Sequence, residues 1–220
     1  MASADVIQLR RMLSEKFPGL RMRLEPPVTD NTWPTGIARL DEPLRGGLPR
    51  AALTEITGPG DGSARLLHAL LCRAASENQI IVLIDGGDSF DVTAMEEAVL
   101  SRLLWVRCRS ALEAMKAADL VLRDGNLPLV LFDLKPAPEA QLRKIPATTW
   151  YRFQRLVEET GATGVVFTPR PMVAPAQVRV TLHSRFSLAA LDAAEPLAGS
   201  EWEIADNRRS EFSTTLQNTA

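Results

Sequence analysis

Leu53-Thr54-Glu55-Ile56-Thr57-Gly58-Pro59-Gly60-Asp61-Gly62-Ser63-Ala64-Arg65 runs from a short apolar strand through a glycine-rich turn into the start of a helix. A working phosphate-binding loop reads G-x-x-x-x-G-K-[ST]: its backbone N–H groups wrap the phosphates, its Lys neutralises them and its hydroxyl holds Mg²⁺. Counted from Gly58, Ser63 stands at the second glycine, Ala64 at the lysine and Arg65 at the hydroxyl residue. The opening glycine is kept and the other groups are replaced. Ala64 brings no charge to a phosphate, and Arg65 cannot coordinate a cation. Gly58, Gly60, Gly62, Ser63, Ala64 and Arg65 therefore form a degenerate loop that could at most hold an anion at a helix N-terminus. Taken alone, Gly-Pro-Gly-Asp-Gly is an ordinary turn.

Around that loop, short apolar runs alternate with helical patterns, as in a mainly parallel sheet with crossover helices. Leu53 to Thr57 reads as the first strand and Ser63 to Ala75 as the first helix. Ile80 to Asp85 is a near-continuous apolar run, expected to be buried on both faces and central in the sheet. Asp91 can cap a helix reaching about Leu103, Leu104 to Arg107 read as a strand, and Ser110-Ala111-Leu112-Glu113 is a capping box that opens the next helix, closed by Gly125. Leu129-Val130-Leu131-Phe132-Asp133 is a strand ending in an acid. A helix from about Ala147 to Thr160, capped by Gly161, precedes the buried strand Gly164 to Thr168. Val178, Val180 and Leu182 alternate with Arg179, Thr181 and His183, which predicts a strand with one wet face near a sheet edge. Trp202-Glu203-Ile204 reads as a last short strand after a loop-like stretch from Ala189 to Ser200.

Towards the N-terminus, Val6, Leu9, Leu13 and Phe17 recur at helical spacing opposite Arg10, Arg11, Glu15 and Lys16, an amphipathic helix that stops at Pro18-Gly19. It is either folded on its own core or a docking arm for self-association. The expected organisation is a helical arm over 1–24, an extended connector over 25–34, a core over 35–212 and a fraying tail over 213–220.

Composition narrows the classes. The chain has 220 residues, 45% of them hydrophobic and 24% charged, which is ordinary for one folded domain with tails. A net charge of −2 and a pI near 5.8 draw it to neither nucleic acid nor an anionic membrane as a whole. Cys72 and Cys108 lack metal-ligand spacing and read as buried thiols suited to a reducing cytoplasm. No bilayer-spanning run and no export signal is seen. His68, inside the apolar first helix, reads as a core histidine and His183 as a surface one.

Upstream of the loop, Pro34-Thr35-Gly36-Ile37-Ala38-Arg39-Leu40-Asp41-Glu42-Pro43-Leu44-Arg45-Gly46-Gly47-Leu48-Pro49-Arg50-Ala51 resembles the T-G-x-x-x-L-D-x-x-L-x-G-G-L-P-R-G lead-in of RecA-type recombinases, at matching distance from the loop. Leu83 to Asp91 resembles their I-D-x-E-x-x-x-D stretch, in which the Glu activates the attacking water; Gly87 stands at that Glu here. Leu129 to Asp133 is similar to a Walker B strand, whose Asp helps hold Mg²⁺. The resemblance implies an α/β, RecA-like, mainly parallel sheet with helices on both faces, preceded by an N-terminal amphipathic helix. With the Lys, hydroxyl and Glu absent, it also implies no catalysis, no cofactor and no metal, and for Asp133 a capping or loop-bonding role.

Within that group, Arg143-Lys144-Ile145-Pro146-Ala147-Thr148-Thr149-Trp150-Tyr151-Arg152-Phe153-Gln154-Arg155-Leu156 and Thr168-Pro169-Arg170-Pro171 resemble the ImuA family, RecA-like and SulA-related proteins of bacterial damage-inducible mutagenesis operons. Both stretches are short where RecA carries longer DNA-binding loops. The family resemblance implies a non-catalytic cytoplasmic partner in SOS-induced translesion synthesis, acting with the polymerase-like protein ImuB and with RecA. A SulA-type inhibitor that binds FtsZ and an ATP-dependent recombinase are the alternatives. Candidate interaction residues are Val6, Leu9, Leu13 and Phe17 on the arm and Arg143, Lys144, Arg152, Arg155 and Arg170 on the core; with Arg179 and Arg185 they make the latter half locally basic. Spread charges of this kind are most often a solvated face, and the sharper expectation is weak DNA contact or an acidic protein partner.

Overall fold

The computed structural model describes residues 31–58, 62–183 and 201–206, with Gln8, Arg11, Met12, Glu15 and Lys16 helical and exposed in the N-terminal segment. The expected stripe Val6, Leu9, Leu13 and Phe17, Arg185, the 189–200 loop and the 213–220 tail lie outside the described residues.

The strands are β1 (Thr32–Trp33), β2 (Leu48–Pro49), β3 (Ala52–Thr57), β4 (Ile81–Asp85), β5 (Leu103–Arg107), β6 (Leu129–Asp133), β7 (Thr163–Phe167), β8 (Val178–Leu182) and β9 (Trp202–Asp206). The described core helices are α1 (Ala38–Asp41), α2 (Gly62–Ser76), α3 (Glu97–Leu100), α4 (Ala111–Asp124), α5 (Glu139–Leu142) and α6 (Ala147–Thr160). A seven-stranded sheet runs in the order β5-β4-β6-β7-β3-β8-β9, parallel except for β9. The α/β expectation holds.

Alternation along the strands divides the core into two layers. Val82, Ile84, Val130, Phe132, Leu53 and Val166 face α4 and α6, where Trp150, Phe153 and Val157 are buried. Ile81, Leu83, Leu129, Leu131, Ile56, Val165 and Phe167 face α2, where Leu66, Leu67, Leu70, Leu71 and Ala74 form the buried stripe. Because both faces are covered, β4 and β6 read as unbroken apolar runs.

Several expectations are corrected. β4 is buried but lies next to the edge strand β5, and β7 holds the middle of the sheet. Asp91 caps only a single 3₁₀ turn, Val92–Ala94, by accepting from Thr93 N at 2.9 Å; the helix that follows is just Glu97–Leu100. Trp33, expected in the connector, is fully buried, and Trp33↔Leu48 pairs β1 with β2. His68 is exposed rather than in the core, Cys72 is half-buried, and Cys108 is buried, its thiol pushed up to about 11 mainly by that burial. His183 is exposed, as expected. The capping box forms one residue out of place: Ser110 Oγ accepts from Glu113 N at 3.2 Å, and the Glu113 carboxylate accepts from Arg109 N at 2.8 Å.

Candidate functional site

The C-terminal ends of β3, β4, β6 and β7 open on one edge of the sheet, where ligand sites of parallel α/β folds form. Gly58, the Asp85–Gly87 turn, Asp133–Lys135 and Thr168 gather there.

Gly58 has φ +129°, and a Cβ at this position would lie 2.1 Å from the Leu182 carbonyl oxygen of β8. The backbone conformation and that close approach require glycine with or without a phosphate. The lead-in works in the same way. Asp41 accepts from Thr35 N, Thr35 Oγ1 and Gly36 N at 3.0, 2.7 and 3.0 Å. Leu40, Leu44 and Leu48 are buried. A Cβ on Gly47 (φ +136°) would lie 2.1 Å from Trp33 O. The motif residues thus build a turn and clamp it to the core.

At the start of α2, Ser63 is buried, Ala64 exposed and Arg65 half-buried. Lys135, two residues beyond Asp133, donates from Nζ to Ser63 Oγ at 2.7 Å. A cation from another strand end therefore reaches the loop residue next to Ala64. Sequence reading passed over Lys135, because its link to Ser63 spans 72 residues; the only local signal is a Lys just after a strand-ending acid. Asp133 itself accepts from Lys135 N at 3.2 Å, the loop-bonding role expected for it. Burial pushes its carboxyl up to about 6; the charge of Asp85, its register partner on β4, raises it further, and Lys135 opposes the rise.

Asp85 is fully buried and well supplied with donors. Gly87 N, Ser89 N and Phe90 N donate to it at 3.2, 2.9 and 2.9 Å, and Trp105 Nε1 at 3.2 Å. It shapes the turn that carries Gly87. A Cβ on Gly87 would lie 2.8 Å from Pro136 Cβ, so a side chain in the place of the missing glutamate would require the proline ring to shift.

Glu55, in the middle of β3, went unread in the sequence. Fully buried, it accepts at Oε1 from Thr168 Oγ1, Met172 N and Val173 N at 2.9, 2.7 and 3.0 Å. Its Oε2 pairs with Arg179 Nε at 2.7 Å. Arg179 is therefore no part of a wet basic face; β8 lies inside the sheet and its arginine is folded onto Glu55. Three of the other basic candidates are ion-paired too, each on a carboxylate shared with a second arginine. Arg143 and Arg170 both meet Glu139, at 3.0 and 2.8 Å, and Arg152 meets Asp119 at 3.0 Å. Lys144 and Arg155 are exposed. Among the described residues no group of three or more His, Cys, Asp or Glu is placed to hold a metal ion, and no helix is long and apolar enough to cross a membrane.

No protein-family model matches the chain. It is similar to "Protein RecA" of Chlorobaculum parvum, 32% identical over 114 residues, which is 49% of this chain and 33% of that protein. "Protein RecA" of Methylococcus capsulatus is 30% identical over 115 residues, 50% of this chain and 33% of the relative. The fold is RecA-like. The chain spans about a third of the length of the curated relatives it matches, and within this RecA-like core Gly58, the start of α2, the Gly87 turn and the strand-ending Asp133 lie at one end of the parallel strands, while Gly60 of the loop lies outside the described residues.

Proposed function

We propose that the chain is a non-catalytic RecA-like accessory protein of the ImuA type, acting in SOS-induced DNA repair and translesion mutagenesis through contacts with an ImuB-type polymerase-like protein and with RecA. The non-catalytic part is carried by the start of α2, where Ser63, Ala64 and Arg65 replace the glycine, lysine and hydroxyl of the motif and Lys135 Nζ bonds to Ser63 Oγ at 2.7 Å. Pro136 against Gly87 supports the same reading, since any side chain at that position would have to displace the ring. The choice of partners rests on the resemblance of the Arg143–Leu156 and Thr168–Pro171 stretches.

Capture of purified ImuB-type protein, RecA and FtsZ on the immobilised chain tests the reading. Retention of the ImuB-type protein, with or without RecA, is expected; retention of FtsZ alone would replace it with the SulA-type alternative. ATP turnover by the protein and by Ala64→Lys is expected to equal the no-protein control. Turnover that disappears on changing the Gly58–Arg65 loop would end the non-catalytic reading.

A further inference from the structure

Most of what Glu55 binds from the middle of β3 is loop rather than strand. Thr168 Oγ1 donates to its Oε1 at 2.9 Å from one end of the segment joining β7 to β8, and Met172 N and Val173 N donate to the same oxygen at 2.7 and 3.0 Å from further along it. Thr168 and Val173 are buried, whereas Arg170 and Pro171 between them are exposed. Arg179, paired with Oε2, also donates from Nη2 to Val173 O at 3.3 Å. Thr168 N is bonded to Ile56 O at 3.0 Å and Gln177 N to Leu53 O at 2.9 Å, so both arms of the loop rest on β3. The tip Pro169-Arg170-Pro171 is thus clasped at both ends, and its two prolines fix their own φ.

Strand pairing does not account for this clasp. β3 is already joined to β7 and β8 by parallel ladders, with Leu53↔Gly164 and Glu55↔Arg179 among their pairs. A buried ion pair is a weak source of net stability, because apolar side chains of similar volume often serve as well or better. What Oε1 adds is a single path for the 168–173 backbone, and with it a fixed place for the exposed tip. The tip is held sideways as well: Arg170 Nε donates to Glu139 Oε1 at 2.8 Å, the oxygen that Arg143 Nε also reaches at 3.0 Å. The Thr168–Pro171 stretch and the start of the Arg143–Leu156 stretch therefore meet at one carboxylate. An exposed loop that is ordered beforehand loses less freedom when it binds.

We infer that Glu55 is a positioning residue, which acts from inside the sheet to hold the Pro169-Arg170-Pro171 tip in the shape that meets a protein partner. This deepens the proposed function and rests on its reading of the Thr168–Pro171 stretch as a partner contact. Arg170 is the touching side chain, and Glu55 acts through the backbone beneath it.

Two readouts on the full chain test it: amide hydrogen exchange of Met172 and Val173, which needs no partner, and biolayer interferometry against the purified ImuB-type protein. In Glu55→Ala both amides should exchange about tenfold faster relative to those of β6, and affinity should fall about tenfold. Glu55→Gln keeps an acceptor for the two amides and should recover most of both. Leu70→Ala opens a cavity in the α2 layer on the other side of the sheet, so it lowers stability without touching the clasp. Its affinity should stay within about twofold of the parent, and its loop amides should change no more than those of β6. Arg170→Ala should weaken binding while leaving the exchange unchanged. Thr168→Val removes one arm of the clasp and should show the Glu55→Ala pattern at about fivefold, which keeps the inference testable where Glu55→Ala does not fold. Unchanged exchange in Glu55→Ala and Thr168→Val overturns the inference, and so does an affinity loss in Leu70→Ala as large as theirs. Failure of the parent chain to bind breaks the proposed function instead, and the exchange readout then decides by itself whether Glu55 fixes the loop.

Discussion

Two acids of the sheet, fully buried Glu55 and half-buried Asp133, are handled in opposite ways. Glu55 collects a hydroxyl, two backbone N–H groups and a guanidinium, and so fastens β3 to the end of β7, to the 169–176 loop and to β8. Asp133 accepts one long N–H bond, from Lys135 N at 3.2 Å, and is left with a carboxyl pushed up to about 6 by its burial. Burying a charge is favourable only when partners replace the lost water. Glu55 has become a structural staple, whereas Asp133 retains the form of a strand-ending acid without the donors that would keep it charged at no cost.

Removing the staple is expected to have the largest effect. Glu55→Ala leaves Arg179, the Thr168 hydroxyl and two N–H groups without their acceptor, and breaking a pair of this kind costs about 3–5 kcal/mol. For a chain of this size that is a fall in Tm on the order of 10 °C. Glu55→Gln, which keeps the shape and one acceptor, should lose less. Urea unfolding of both variants provides the check: a loss under about 1 kcal/mol for Glu55→Ala at unchanged m would show that the network contributes little and that the contrast with Asp133 is only geometric.

Asp133→Asn should act in the other direction. The folded carboxyl holds its proton up to about 6, whereas an ordinary aspartate carboxyl loses it near 3.8, so the folded state binds more protons between those two values. The stability this group contributes is fully present below 3.8 and is lost as pH rises through about 6. An amide removes the cost of the buried charge, so the variant should be about 1–3 kcal/mol more stable near neutral pH, with the gain vanishing in acid. Chemical unfolding at several pH values measures the difference; a variant less stable at neutral pH would mean that Asp133 is better satisfied than its single N–H bond suggests.

What could be read from the sequence was local. The apolar runs of β4 and β6, the Ala147–Thr160 helix with its Gly161 cap, and the lost Lys and hydroxyl of the loop all follow from neighbouring residues. What escaped depends on contacts between distant ones. Glu55 looked like one polar residue in a strand, since its partners lie 113 to 124 residues away. Lys135 looked like loop, and the basic half looked continuous because Glu55 and Asp119, which pair with Arg179 and Arg152, sit on other elements, while the Glu139–Arg143 pair, legible as an i,i+4 spacing, was passed over. Gly58 was read as a remnant of phosphate binding, although its φ and the Leu182 carbonyl are sufficient reason for it.

The smallest effect should come from Lys135, and it sharpens the account of Asp133. Its ammonium works against the upward push on the Asp133 carboxyl, and its Nζ is bonded to Ser63 Oγ at 2.7 Å. Lys135→Met removes both contributions while keeping an unbranched apolar stem of similar reach. The hydrogen bond is worth about 1 kcal/mol net, so neutral-pH stability should fall by about that much. The more telling readout is the Asp133 carboxyl itself, followed by carbon NMR through a pH titration. Without the nearby positive charge its midpoint should rise further above the ordinary aspartate range. Lys135→Arg, which keeps the charge on a longer and bulkier head, should restore most of the midpoint even where it fails to restore the contact with Ser63. An Asp133 midpoint unmoved in Lys135→Met would show that the ammonium is not beside the acid in solution. The cation in the loop would then belong to Ser63 alone, and the under-satisfied state of Asp133 would follow from burial and the Asp85 charge without any help from the loop.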